Sequence, residues 1–478
     1  MPDVAIIGAG VVGSAVAREL SRHRLDVVVF EKGPDVASGA SKANSGIVHA
    51  GHDAKPGSLK ARYNLAGNIL FDSLSRELDF PFRRNGSLVL ALEDEAPARL
   101  EELLRQGRLN GVAGLELLGR ERARELEPNL GGQVALALFA PGGGIVCPYE
   151  MTIALAENAA ANGVSFQLEC EALRLEREAD GFRIHTPRGE FKARMLVNAA
   201  GLEADTVNNQ LSRRKIRIQL RRGEYCLLDS SEAGLARHTL FPLPGKTGKG
   251  VLVTPTVDGN ILLGPTSEEM EDRDDAGTTA SGLERVLEQA GRYVRRLPRD
   301  RVIASFAGLR AHSLEDDFIV EAAPDAPGLV NLAGIESPGL TSAPAIALAA
   351  AKLVVERLSP AANPDFNPVR KAPPRFRHLD DAGRARLIAA DSDYGRIVCR
   401  CEKVTRAEAV AALRSPLGAH SLDAVKRRTR IGMGRCQGGF CSMRLLEVFS
   451  RELGMALPEI SKSGQGGNLL LGENKAGL

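Results

Sequence analysis

The sequence predicts an α/β chain in which a parallel sheet is interleaved with a sheet-rich α+β insert and followed by a small separate unit. Three observations lead there. The first residues read strand, glycine turn, helix and strand, with Gly8, Gly10 and Gly13 in the turn and Glu31 ending the second strand. Residues 215–325 alternate β-like runs with Asp-Gly, Gly-Asn and Pro turns. Four of the seven cysteines fall late in the chain, as Cys399, Cys401, Cys436 and Cys441.

A chain of 478 residues has room for about two to four domains. Hydrophobic residues make up 44%, enough for full cores and too many for bulk disorder. The absence of Trp and the five Tyr leave little for aromatic sugar platforms or base stacking. Lys and Arg number 62 against 60 Asp and Glu, a net charge of +2, so no nucleic-acid partner is expected. An odd cysteine count, four of them clustered, argues against a secreted disulfide framework. No export signal and no run of about 18 apolar residues stands out, so no transmembrane segment is expected. The expected location is the cytoplasm, with peripheral attachment to the membrane through a partner left open, as is oligomer formation.

Residues 4–7 are an apolar strand, Ser14–Arg24 carry helical spacing, and residues 26–31 form a second strand. This is an opening βαβ unit of Rossmann type. A loop of small residues, 37–46, leads to Ile47-Val48-His49. A helix is predicted from Ser58 to about Arg76, capped by that serine after Pro56-Gly57. Phe82–Gly86 reads as a turn between strands, 94–126 as charged and helical, and 140–144 as a break. A helix at 150–162, strands at 164–170 and 191–199, one helix near 281–297, a strand at Leu329–Leu332 and a helix at 342–357 follow.

The simplest architecture draws one domain from residues 1–75, 145–210 and 326–358. A sheet-rich substrate or cap domain is inserted twice, at 76–144 and 211–325. The five prolines of 359–376 mark a linker. Residues 377–460 form a small separate domain, and 461–478 a Gly- and polar-rich tail.

In the glycine turn, Gly8 permits the sharp bend, Gly10 lets the backbone meet a pyrophosphate at a helix N-terminus, and Gly13 lets helix and strand pack closely. Glu31 is placed to hold ribose hydroxyls, and its carboxylate would repel a 2′-phosphate. NAD and FAD both fit this unit. FAD is preferred because there is one fingerprint, because the small-residue loop follows directly, and because Gly334–Ser342 offers a second helix N-terminus.

The late cysteines are spaced Cys399-x-Cys401, then 34 residues, then Cys436 and Cys441. Two close pairs of thiolates suit a [2Fe–2S] cluster or a tetrahedral Zn. Gly432, Gly434, Gly438 and Gly439 clear room around the second pair and free N–H groups for sulfur. The basic run Lys426–Arg430 would offset an anionic cluster, or else form a solvated helix face. Cys147, Cys170 and Cys226 lack paired spacing and read as structural.

Gly8–Gly13, Glu31, Ser41–His49, Asn198–Gly201, Phe306–Arg310 and Gly334–Thr341 together resemble the FAD-dependent oxidoreductases of the D-amino-acid oxidase and glycerol-3-phosphate dehydrogenase superfamily. Asn44–His49 and Lys55–Lys60 are most similar to the branch of anaerobic-type glycerol-3-phosphate dehydrogenases and L-2-hydroxyglutarate dehydrogenases. The resemblance implies that Ser41, Asn44, Ser45, Gly46, Gly201, Gly334, Gly339, Leu340 and Thr341 join the glycines and Glu31 around the flavin. Cys399–Cys401 with Lys426–Cys441 resembles the bacterioferritin-associated-ferredoxin-like [2Fe–2S] domain. That resemblance implies an iron–sulfur domain with all four cysteines as ligands, on an electron path or as a structural cluster.

Oxidation of an alcohol needs a positioned C–H and a proton acceptor. His49, just past the loop, suits general base work near neutral pH, with a flavin-contacting histidine as the plainer role and His52 as the alternative base. In the family the arginine matching Arg310 holds the substrate's anionic group, for which its planar fork is suited. Lys55 and Arg222 would add charge, and Glu224 would organise the site. After Arg310 the family pattern has proline, but this chain has Ala311-His312.

These readings point to a dehydrogenase of a small anionic secondary alcohol. Glycerol 3-phosphate, giving dihydroxyacetone phosphate, comes first, L-2-hydroxyglutarate second and an amino acid third. Electrons would pass from FAD to [2Fe–2S] and on to a redox partner protein or a quinone-linked membrane acceptor. The non-enzyme alternative is a redox scaffold or sensor.

Overall fold

The computed structural model describes residues 1–93, 95, 97–245 and 250–472. Asp94 and Ala96 of the charged stretch, and the last six residues of the tail, lie outside the described residues.

The first strand, β1 (Val4–Ile7), is buried on both faces, as expected of a central parallel strand. It pairs in parallel with β2 (Val27–Phe30) on one side and Met195–Asn198 on the other. Ser165–Gln167 and Leu329–Ala333 extend the sheet to five parallel strands, and Ile319–Ala322 adds a sixth, antiparallel edge. The period of two divides the side chains. Val4, Ile6, Val27 and Val29 pack under α1 (Val11–Leu20) and the helices Pro148–Ala161 and Gly339–Leu358. Ala5, Ile7, Val28 and Phe30 face a three-stranded antiparallel sheet spanning Arg174–Ala193.

Sequence reading missed the first two strands of that small sheet. Their outer positions are charged, at Arg174, Glu176 and Arg183, so only Leu175, Phe182 and Ile184 signal burial. The predicted strand 191–199 is two strands in different sheets, Gly189–Ala193 and Met195–Asn198. The charged stretch is two helices, Ala98–Leu109 and Arg120–Leu126, separated by the strand Glu116–Gly119. Gly111 and Gly114, both at positive φ, stop the first helix as glycine readily does.

The second helix, α2 (Leu59–Leu78), starts where predicted, with Ser58 accepting a hydrogen bond from the Ala61 N–H. The helix Gly339–Leu358 has the length and hydropathy of a membrane span, but most of it is buried. It packs against α1 and α2 as a core helix.

The sheet-rich part is a nine-stranded mixed sheet. Its longest pairing joins Ile218–Leu228 to Val302–Ser313, antiparallel, with Arg221 opposite Arg310 and Arg222 opposite Leu309. The helix Ala280–Gly291 packs on it.

Residues 359–376 are tied down rather than loose. Arg370 pairs with Glu157 at 2.7 Å, and the Asn367 carbonyl accepts from Asn158 and Asn162. The C-terminal unit packs Arg406–Leu413, Leu422–Thr429 and Cys441–Leu453 around Val425, Leu446 and Phe449. It docks on the rest of the chain through buried ion pairs. The basic run is therefore not a solvated face, and it does not turn chiefly to the cysteines. Arg427 and Arg428 reach Asp35, and Arg430 reaches Asp258, Glu402 and Asn260.

Candidate functional site

One cavity of about 1120 Å³ opens between the parallel sheet and the sheet-rich part. This exceeds the range of a drug-sized pocket, roughly 300–1,000 Å³. Val11 and Val12 of the α1 N-terminus line it, as do Gly339 and Leu340 at the start of the late core helix. Two helix N-termini thus meet one cavity, which suits an anionic ligand.

Glycine is required where the chain closes on itself. Gly8 lies at φ +101°, and a Cβ there would stand 2.5 Å from the Ala199 carbonyl oxygen. A Cβ at Gly13 would run into the Gly8 carbonyl oxygen, so α1 touches the turn through bare backbone. Glu31 accepts hydrogen bonds from the Ala9 and Gly33 N–H groups at 2.8 and 2.7 Å. Burial raises its carboxyl above the ordinary value, against the opposing pull of those two donors.

The small-residue loop wraps the cavity. Ser41 accepts from the Val11 N–H at 2.9 Å, which ties the loop to the helix N-terminus. Asn44 accepts from the Gly46 N–H and donates to the Ala40 and Ser41 carbonyls, so its amide shapes the loop. Ser41, Asn44, Ser45, Gly46 and Gly201 line the cavity. Thr341 is fully buried and bridges the loop to the late helix, accepting from the His49 N–H and donating to the Ile47 carbonyl. Gly334 is a turn residue at φ +66°, behind the lining residues Ile335–Leu340.

His49, His52, Lys55 and Arg310 all line this cavity. The His49 Nε2 lies 3.2 Å from the Ser337 hydroxyl. His52 is buried. Arg310 donates through Nη2 to the Thr266 carbonyl at 2.8 Å, and its buried Nε has no hydrogen-bond partner among the described residues.

Arg222 and Glu224 stand elsewhere. Side chains alternate along Ile218–Leu228, so these two point to the opposite face from the cavity. Arg222 pairs there with Glu268 at 2.9 Å and Asp275 at 3.0 Å. Glu224 is fully buried and accepts from the hydroxyl and N–H of Thr279, the cap of the helix Ala280–Gly291. The same alternation presents Arg221 and Tyr225 to the cavity. Of the pair, Arg221 lines the cavity and the sequence-named Arg222 does not, because the pairing register decides which parity faces inward.

Glu336, within the Gly334–Thr341 motif but not among the site residues expected from sequence, also lines the cavity. It accepts from Lys60 at 3.0 Å and contacts the His312 Nδ1 at 2.8 Å. Burial would raise its carboxyl, but Lys60 and His312 together hold it below the ordinary value. His312, where the family pattern departs, is therefore engaged by the carboxylate at the cavity wall.

The cysteines form two close pairs. The Cys401 and Cys436 sulfurs are 3.7 Å apart. Cys399 and Cys441 share a hydrogen bond that lowers the Cys399 thiol and raises that of Cys441. N–H groups of Gly432 and Glu402 serve Cys399, and those of Phe440 and Gly438 serve Cys436. A Cβ on Gly434 would strike the Cys401 Cβ. One zinc at about 2.3 Å from four sulfurs would draw all four together. Among the described residues, however, the donor group gathered within 4.8 Å is Cys147, Glu150 and Asp258, not these four. Two separated pairs with N–H donors fit a two-iron cluster better than zinc. The acids of that other group are already matched by Arg375, Arg377 and Arg430.

Comparison with known proteins agrees with this geometry. Residues 3–353 match the family model for FAD dependent oxidoreductases, and residues 397–451 match that for the BFD-like [2Fe-2S] binding domain. The chain is 48% identical to a glycerol 3-phosphate dehydrogenase of Caloramator mitchellensis, covering 100% of this chain and 99% of that one. It is 29% identical to a mitochondrial L-2-hydroxyglutarate dehydrogenase of Arabidopsis thaliana over 72% of this chain and 82% of that one. Among solved structures it resembles an FAD-bound L-alpha-glycerophosphate oxidase of Mycoplasma pneumoniae. That match has a TM-score of 0.74 and 30% identity, over 78% of this chain and 99% of that one.

Proposed function

The chain belongs to the FAD dependent oxidoreductase family and carries a [2Fe-2S]-binding domain, and from this premise we propose that it dehydrogenates glycerol 3-phosphate to dihydroxyacetone phosphate. One observation carries the choice of substrate class. Arg221 and Arg310 are direct register partners on adjacent strands and both line the cavity. Two guanidiniums side by side suit a phosphate, which takes planar, bidentate hydrogen bonds and carries up to two charges. Lys55 adds a third cation to the same lining. The full-length likeness to a protein named glycerol 3-phosphate dehydrogenase, cysteine module included, supports the same choice.

FAD, when bound, supplies the two-electron acceptor for the alcohol carbon. The glycine turn, Glu31, Ser41, Asn44, Ser45, Gly46, Gly201, Gly339 and Leu340 are the residues that would hold it. Arg310 and Arg221 bind the anion and fix which carbon faces the flavin. His49 accepts the hydroxyl proton at Nε2, where the substrate hydroxyl takes the place of the Ser337 hydroxyl that meets this nitrogen at 3.2 Å. Ile335 adds an apolar stretch to the cavity wall. The four cysteines would hold a [2Fe–2S] cluster, which would supply a one-electron relay toward an external acceptor. The location we infer is the cytoplasm, with peripheral attachment to the inner face of the membrane through a partner.

The test is anaerobic mixing of the holoenzyme with glycerol 3-phosphate, L-2-hydroxyglutarate and proline in parallel, following flavin absorbance. Reduction by glycerol 3-phosphate alone is expected. Reduction by L-2-hydroxyglutarate alone assigns the second substrate, and reduction by none refutes the alcohol reading.

A further inference from the structure

The four ligand cysteines do not share one environment. Cys399 and Cys441 are buried, Cys436 is half-buried and Cys401 is exposed. One edge of the cluster site therefore faces outward. At that edge Phe440, which caps the helix beginning at Cys441, is 83% exposed. Met443, three residues on and on the same helical face, is 55% exposed. Among the described residues Phe440 is the one aromatic side chain in the set of exposed large apolar groups.

The charged residues around this apolar edge are mostly of one sign. Arg400, Lys403, Arg435 and Arg444 are all exposed. The 3.7 Å approach of Cys401 to Cys436 brings their two segments together. Arg435 is tethered to Asp229, and Arg444 to the Ile397 carbonyl, so both are held in place. The one acid within residues 400–403 is Glu402, and it turns inward to Arg377 and Arg430. Glu447 is the exposed acid a turn further along the helix.

We propose that this face is the docking site of an acidic one-electron carrier protein, which collects electrons from the cluster beside Cys401. An exposed aromatic anchor near exposed cations, of which Arg444 is held in place without an acid partner, is the pattern of a transient interface steered by charge. A carrier with an acidic rim completes it. A second copy of this chain would bring arginine onto arginine, which is costly. Two apolar side chains are a small anchor for a lipid surface. The electrons balance: one secondary alcohol becomes a ketone with loss of two electrons and two protons, so two carrier molecules are each reduced once. The proposal rests on the cluster being the electron exit, and not on which alcohol is the donor.

The test uses the FAD- and cluster-loaded enzyme, without substrate, and measures binding of two probes. One is an acidic plant-type [2Fe–2S] ferredoxin and the other is basic cytochrome c. The ferredoxin should bind, and its affinity should fall steeply with added salt. Phe440→Ser and the double variant Arg400→Glu/Arg444→Glu should each weaken it at least about tenfold. Flavin and cluster absorbance should stay unchanged, which shows that the variants fold. The double variant should gain affinity for cytochrome c. The proposal is overturned if ferredoxin fails to bind, if cytochrome c binds the unaltered enzyme equally well, or if the variants bind as before. It is also overturned if Phe440→Ser abolishes self-association or binding to anionic vesicles instead. Failure of glycerol 3-phosphate to reduce the flavin would leave this result untouched.

Discussion

Arg428 of the cysteine module holds both carboxylate oxygens of Asp35, at 2.7 and 3.0 Å, and Arg427 adds a third bond at 2.8 Å. Asp35 lies four residues beyond Glu31, in the segment that closes over the glycine turn through the bond from the Ala37 N–H to the Ala9 carbonyl. The small domain therefore braces the nucleotide end of the site as well as carrying cysteines.

Asp35→Ala should cost about 3–5 kcal/mol, because it strips the buried Arg427 of its carboxylate and leaves Arg428 only Glu157, 3.6 Å away. Thermal unfolding and flavin retention both report it. Burial would raise the Asp35 carboxyl, yet Arg428 and Arg427 hold it below its ordinary 3.8. A depressed carboxylate contributes its stability above the unfolded pKa and loses it as pH falls through the folded one. The gap between the parent and Asp35→Asn should thus be full at neutral pH and shrink below about pH 4. A gap that persists in acid would refute the ion-pair account.

Arg310→Ala and Arg221→Ala should each lose a charged hydrogen bond of about 1.5–3 kcal/mol, or roughly 10- to 150-fold in kcat/KM. Arg310→Lys should recover only part of this, since an ammonium cannot make the paired contact. Arg222→Ala, on the opposite face, should lower stability and leave substrate capture alone. Equal effects of Arg221 and Arg222 on KM would contradict the strand register.

Gly13→Ala should yield protein without flavin, because its Cβ meets the Gly8 carbonyl. Gly39→Ala is the control, as a Cβ there has nothing within 4 Å. The flavin-to-protein absorbance ratio of purified protein separates them.

His49→Gln should lower kcat by about 10²–10⁴ while changing substrate affinity much less. If His52→Gln has that effect and His49→Gln does not, the proton goes to His52.

The βαβ start was legible because Gly8 and Gly13 serve backbone contacts that no side chain permits, and Val4–Ile7 is buried on both faces. Ser58 as a helix cap was legible for the same local reason. The small sheet at Arg174–Ala193 was not, since its outer positions are charged and only three inward residues mark it. The choice of Arg221 over Arg222 was also hidden, because neighbouring residues on a strand differ only in the face they take.

By itself the sequence determined the cofactor chemistry: a glycine turn closed by Glu31, and two cysteine pairs amid glycines. The glycine turn is a short-range requirement written in neighbouring residues, whereas which sulfurs meet, Cys401 with Cys436 and Cys399 with Cys441, the fold decided. Tertiary structure decided the partners of Arg310, the inward turn of Arg221, the Glu336–His312 contact and the docking of Arg427 and Arg428 on Asp35. Those contacts join residues up to 393 positions apart, and such pairings follow from sheet register and domain packing rather than from any local pattern.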